Sequence, residues 1–237
     1  MKNIPRPSFF LYLTEAIRAI FDIGRGLVFR LTHQIKSVDS NAPVLVVPGF
    51  LGSDFSTAFL RKFITDLGFP TYGWGLGRNL GDLNELAILV EKLEAIQAKH
   101  QQKVTLIGWS LGGVYVREMA KQKPELVRQV ITMGSPFRDI EAPNHARWIY
   151  DLIGKKGLDA KFLATIPLPA PVSTLAIYTK QDGVVAWKTC MEEQDMQHRN
   201  LKVWGSHTGL VFNPLVCEAI EKELLKNDTS KDFSLMT

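Results

Sequence analysis

Val104-Thr105-Leu106-Ile107-Gly108-Trp109-Ser110-Leu111-Gly112-Gly113 reads as a buried strand that runs through G-x-S-x-G into a helix. The pattern alone arises by chance roughly once in fifteen chains of this length, so its setting decides. A strand that turns this sharply into a helix holds its serine in a strained backbone and leaves no room for large neighbours, hence glycines two positions away on each side. Gly108 and Gly112 meet that need. The turn lifts the Ser110 hydroxyl above the strand end, at the positive end of the next helix, where developing negative charge is favoured.

Outward from this stretch, short β-branched runs alternate with helical ones. Val44–Pro48, Pro70–Gly73, Lys103–Ile107, Gln129–Met133, Thr174–Thr179 and Asn200–Trp204 read as strands. Asp54–Leu67, Asp82–His100, Ser110–Gln122 and Asn213–Leu225 read as helices, the second opening on a capping box Asp82…Glu85 and the last on Asn-Pro. Alternating βαβα with near-continuous apolar strands predicts an α/β fold, a mostly parallel sheet of about six strands flanked by helices. The 40 residues Gly134–Ser173 are too many for a connection that usually takes about 2–6. They read as a short cap insertion at about 135–173, with Phe137, Trp148, Tyr150 and Phe162 and a stiff proline-rich return at Pro167–Pro171.

A serine hydroxyl is a weak nucleophile and needs a base, and the base needs a group that fixes its tautomer and stabilises its cation. The strand Thr174–Thr179 is followed by Lys180-Gln181-Asp182-Gly183, and Asn200–Trp204 by Gly205-Ser206-His207. The chain order Ser110, Asp182, His207 is the order this kind of fold demands. His33, His100, His145 and His198 fall before the sheet, at a helix end, in the cap and in a charged loop, where solvated roles suffice. An oxyanion hole requires two backbone N–H groups. Leu111 supplies one, and the loop Pro48–Asp54 after the first strand assigns the other to Phe50. Candidates to line an apolar substrate pocket are Leu51, Trp109, Phe137, Trp148, Val184 and Val185; ordinary packing is the alternative for the aromatic ones.

With these residues in place, the sequence resembles the α/β-hydrolase superfamily, and more closely its bacterial lipase/esterase-like proteins. The resemblance is carried by Pro48–Asp54, Gly73–Asn79, Gly108–Gly113, Gly134–Phe137, Asp182–Trp187 and Gly205–Pro214, within about residues 40–225. It implies Ser110, Asp182 and His207 as catalytic serine, acid and histidine, Phe50 and Leu111 as oxyanion donors, and no metal or organic cofactor. A Pro48-Gly49 stands where many esterases have His-Gly, which removes a side chain but no backbone donor. The expected activity is hydrolysis of a carboxylic ester with an apolar acyl chain, on a small-molecule ester or lipid. A thioesterase or acyltransferase with the same triad remains open, as does a non-catalytic module that binds an apolar ligand or a membrane.

Composition sets the outer limits. Of 237 residues, 46% are apolar and 22% charged, enough for one sizeable core without disulfides and far from the charge-rich signature of disorder. The net charge of +4 belongs wholly to residues 1–36, where Lys2, Arg6, Arg18, Arg25, Arg30 and Lys36 face only Glu15 and Asp22. No nucleic-acid-binding module surrounds it, so no nucleic-acid partner is expected. Gly73–Asn79 lacks the spacing of a dinucleotide loop, because Arg78 and Leu80 stand where a third glycine is needed. No zinc or EF-hand spacing occurs. Cys190 and Cys217 read as reduced, buried thiols.

Residues 1–36 read as an N-terminal amphipathic helical segment, with the hydrolase domain over 37–237. From Ser8 to Leu31, Glu15, Arg18, Asp22 and Arg25 form one narrow ion-paired stripe. The wide apolar face of Phe10, Leu13, Ile17, Ile20, Phe21, Leu27 and Val28 is expected to pack on the protein's own core. The alternative is a peripheral membrane contact through residues 8–31. Phe9–Leu13 is interrupted at once by Thr14 and Glu15 with no small-residue cleavage site after it, a poor signal peptide. The expected location is the cytoplasm, with attachment to a membrane surface as the variant. Oligomeric state is left open by the sequence.

Overall fold

The computed structural model describes residues 4–82, 84–140, 142–145 and 160–228. Six strands, β1 (Val44–Val47), β2 (Thr71–Tyr72), β3 (Val104–Trp109), β4 (Val127–Met133), β5 (Thr174–Thr179) and β6 (His198–Val203), form one sheet in the order β2-β1-β3-β4-β5-β6. Every pairing is parallel. Parallel strands need covered faces, and their apolar residues divide accordingly. Val44, Val46, Ile107, Ile131 and Ile177 pack on one side with Leu60 and Phe63 of α3 (Ala58–Asp66) and Val216 and Ile220 of α7 (Pro214–Asp228). Leu45, Val47, Leu106 and Val130 pack on the other with Leu89 and Leu93 of α4 (Glu85–His100) and Val116 and Met119 of α5 (Leu111–Gln122). This is the covered parallel sheet that the alternating pattern predicts, arranged in the α/β-hydrolase fold that the resemblance implies.

Several element boundaries shift. The predicted helix 54–67 is a 3₁₀ turn, Asp54–Thr57, leading into α3. The predicted start of α4 is three residues early: Asp82 Oδ1 accepts from Asn84 N–H at 3.1 Å, a local turn, and the helix opens at Glu85. An Asp can bond its own backbone two residues on as readily as cap a helix, and here the turn wins. Of the insertion, α6 (Ala160–Thr165) is described, whereas Trp148 and Tyr150 lie outside the described residues.

The N-terminal segment departs most from expectation. It forms α1 (Phe9–Leu13) and α2 (Glu15–Thr32), separated by Thr14 alone. Its apolar face does not pack on the core: Phe10 is 71% exposed, Phe21 69% and Leu31 87%, with Leu13, Ile17, Ile20, Leu27 and Val28 also exposed. The acidic members of the ion-paired stripe face inward instead, Glu15 at 7% and Asp22 at 3% exposure, while Arg25 stays exposed. The buried positions Glu15, Ala19, Asp22, Gly26 and Phe29 recur at spacings of four and three. Small residues in that stripe let the helix approach closely; a Cβ on Gly26 would lie 2.3 Å from the Phe212 carbonyl oxygen. The far end is fixed by the Arg30–Asp66 pair to α3 and by His33 Nε2 with Glu221 on α7 at 2.8 Å.

Candidate active site

A parallel sheet brings the C-terminal ends of its strands to one edge, so the loops after β3, β5 and β6 converge there. Ser110 follows β3 directly with φ 53° and ψ −123°, a sparsely populated conformation for a residue with a side chain. The surroundings hold it: a Cβ on Gly108 would stand 2.4 Å from the Gly112 oxygen, and one on Gly112 2.3 Å from the Val47 oxygen. The serine N–H is bonded to the Met133 carbonyl at 2.8 Å.

His207 Nε2 lies 3.0 Å from Ser110 Oγ, and its Nδ1 lies 2.6 Å from Asp182 Oδ2. A carboxylate can only accept, so Nδ1–H donates to Asp182, and the neutral ring then presents the Nε2 lone pair to the Ser110 hydroxyl. Asp182 is fixed in turn by the Val184 and Val185 amides, which donate to its Oδ1 at 2.8 and 2.7 Å. Burial by itself pulls the His207 pKa down. The Asp182 carboxylate, through its charge and its hydrogen bond, and the Glu15 charge more than offset this, and the pKa lies above the ordinary 6.5. A hydroxyl, an imidazole and a carboxylate linked this way can move a proton off oxygen as that oxygen forms a new bond.

The loop after β1 closes over the serine: a Cβ on Gly49 would lie 2.8 Å from Ser110 Cβ. Phe50 follows in that loop, and Leu111 opens α5, among the N-terminal amides that a helix leaves without an intrahelical partner. The next amide, Leu51, is committed to the Asn79 carbonyl at 2.7 Å. Gly73–Asn79 proves to be the buttress of this loop. Asp54 accepts from the Trp74 and Gly75 amides at 2.8 and 3.0 Å, and Asn79 Nδ2 donates to the Pro48 carbonyl at 2.9 Å.

The other sequence candidates fall into different places. Trp109 is buried in the core, and its Nε1–H donates to the His207 carbonyl at 3.1 Å. Phe137 is fully enclosed with Val114, Ile166 and Ala176, so its ring offers no surface to a ligand. Val185 is buried with Tyr178 and Cys190, and Val184 is half-buried beside them; their amides, rather than their side chains, serve the site. Leu51 is half-buried, and Trp148 lies outside the described residues. Cys190 and Cys217 are free and buried. Burial raises the thiol of Cys190 well above its ordinary value and that of Cys217 to about 12. Among the described residues, no three His, Cys, Asp or Glu side chains come together to hold a metal ion.

Sequence reasoning missed the inward stripe of α2. Glu15 accepts from the Thr208 amide at 2.8 Å and the Gly183 amide at 3.3 Å. Asp22 Oδ2 accepts from the Ser206 N–H and Oγ–H at 2.8 and 2.7 Å. Arg18 donates to the Gln181 carbonyl at 2.7 Å. The stripe therefore grips the residues on both sides of Asp182 and both sides of His207. The signal was the four-three spacing of small and acidic residues, outweighed by the greasier face opposite.

The fold is that of the α/β hydrolases, and the comparisons agree on it. A family model described as the alpha/beta hydrolase fold matches residues 83–181. Aspergillus fumigatus lipase B is similar with a TM-score of 0.56 and 18% identity, over 74% of this chain and 50% of that one; the chain spans half of its length. Bacillus licheniformis lipase BlEst2 in mature form gives 0.57 and 18%, over 81% and 95%. Paleococcus ferrophilus monoacylglycerol lipase gives 0.55 and 11%, over 80% and 95%. At such identities the likeness is one of fold. No curated protein matches the sequence.

Proposed function

We propose that the protein is a serine hydrolase of carboxylic esters with an apolar acyl chain. The reading is carried by the continuous chain from Asp182 through His207 to Ser110, at 2.6 and 3.0 Å. Ser110 Oγ attacks the ester carbonyl carbon as His207 Nε2 takes its proton, and Asp182 keeps the ring in the required tautomer. The oxyanion is held by the Phe50 and Leu111 amides. His207 returns the proton to the departing alcohol, leaving an acyl group on Ser110, and water repeats the sequence to release the acid. The lipases among the structural neighbours favour an ester over a peptide.

A fluorophosphonate probe applied to wild type and to Ser110→Ala tests this, alongside aryl esters of increasing acyl length. Labelling confined to wild type, with turnover reduced at least about a thousandfold in the variant, is expected. Equal labelling of both proteins, or a folded wild type that neither labels nor turns over any ester, rejects it.

A further inference from the structure

The outward face of α1 and α2 is predominantly apolar, with Arg25 and Thr32 exposed at its side. Phe9, Phe10, Leu13, Ile17, Ile20, Phe21, Leu27, Val28 and Leu31 are all exposed, and Ala16 and Gly24 between them are exposed as well. At 100° per residue these positions occupy one side of the helix over roughly 35 Å. A shallow, mostly apolar groove runs beside it, where Ile20, Phe21, Val28, Phe29 and Pro214 line it together with Arg25 and Thr32. Exposed apolar residues scattered singly need no explanation, whereas a contiguous face of this extent marks an interaction surface. It cannot turn inward, because the opposite stripe is committed: Glu15, Arg18 and Asp22 hold the backbone of residues 181, 183, 206 and 208.

We infer that this face docks, in plane, on an anionic lipid surface. Three observations choose this occupant. First, the charge is complementary: exposed cations stand at both ends of the face, Arg6 before it and Lys36 after it, and Arg25 is exposed alongside it. Basic residues at the edge of an apolar helical face add attraction to acidic headgroups. Second, a second copy of the chain is disfavoured, because an antiparallel pairing of two such faces sets Arg6 of one beside Lys36 of the other, and a parallel pairing sets like against like. Third, the geometry suits lying on a bilayer. Among the described residues no helix is long and apolar enough to cross a membrane, while α1 and α2 follow each other with only Thr14 between them. Tyr12 also stacks on His145 of the insertion, ring centroids 4.4 Å apart. The helices that carry the docking face thus run from the insertion past the loops of Asp182 and His207, which their inward stripe holds.

The test is co-sedimentation of the full chain with vesicles of phosphatidylcholine alone and of phosphatidylcholine with about 30% phosphatidylglycerol, at low salt. Wild type is expected to bind the anionic vesicles and to bind neutral ones at least about tenfold less. Ile17→Ser with Phe21→Ser is expected to weaken binding at least about tenfold, with an unchanged circular dichroism spectrum because both side chains face outward. A second variant, Arg6→Glu with Lys36→Glu, leaves the apolar face intact and is expected to abolish the preference for anionic lipid. Wild type that stays in solution with both vesicles, equal binding to both, or undiminished binding by the Ser variant overturns the inference. So does a vesicle-indifferent dimer that the Ser variant converts to monomer, which hands the face to a second copy. The readout is binding rather than turnover, so it fails or stands apart from the ester-hydrolase reading.

Discussion

Only the neutral form of His207 can take a proton from Ser110, and its neighbours decide how far into acid that form persists. Burial lowers its pKa, but Asp182 and then Glu15 raise it, and the result lies above 6.5. Ester turnover is therefore expected to fall as pH drops through a value above the ordinary imidazole pKa. Glu15→Gln keeps an oxygen for one of the two loop amides but removes the charge, so the acidic limb should move to lower pH while the rate on the plateau changes little. The check is kcat/KM from about pH 5 to about pH 9; a limb that does not move removes Glu15 from this account. The three residues of the hydrogen-bonded chain were legible in the sequence because G-x-S-x-G and two strand ends fix them locally. Glu15 and Asp22 were not, since carboxylates spaced three or four from arginines look the same whether the stripe faces water or a loop backbone.

At the scale of elements, α5 joins the site to the insertion. Arg117, seven residues after Ser110, is fully buried; it pairs with Glu192, lies 3.9 Å from the Phe137 ring centroid and donates to the Leu168 carbonyl at 2.9 Å. Burial brings its pKa down to about 10 against the opposing pull of Glu118. Removing one member of a buried pair strands the other, which costs about 3–5 kcal/mol, whereas replacing both by apolar groups is often close to neutral. Arg117→Met is expected to lose that much stability in urea denaturation, and Arg117→Met with Glu192→Leu to recover most of it. A single variant within about 0.5 kcal/mol of wild type would show that the pair contributes nothing. Strand positions were readable because buried parallel strands are short apolar runs, and Thr174–Thr179 coincides with β5. Phe137 was harder: an aromatic in an insertion reads as pocket or as packing, and its enclosure by Val114, Ile166 and Ala176 with the Arg117 guanidinium over its ring decides for packing.

Across the whole molecule, α2 reaches the flanks of both Asp182 and His207, so its seating should govern the site without touching the sheet. Gly26 is where that seating can be altered. A side chain there meets the Phe212 carbonyl oxygen at 2.3 Å, a backbone atom in the 3₁₀ turn Thr208–Phe212 that directly follows His207. Because neither side is a flexible side-chain tip, Gly26→Val must push α2 and the turn apart, at a cost of about 1–3 kcal/mol for overpacking. The carboxylates of Glu15 and Asp22 then draw away from the Gly183, Ser206 and Thr208 amides together, since one rigid helix carries both. Hydrogen exchange should accelerate at those three amides while strands β1, β3 and β4 keep their protection, because local openings need not involve the core. The expected ester activity falls at least about tenfold, since misplacement of about 1 Å can cost a hundredfold. Faster exchange with intact turnover would mean that Asp182 and His207 are held well enough by their own loops. Unchanged exchange would mean that α2 absorbs the side chain without moving and keeps both carboxylates on their amides.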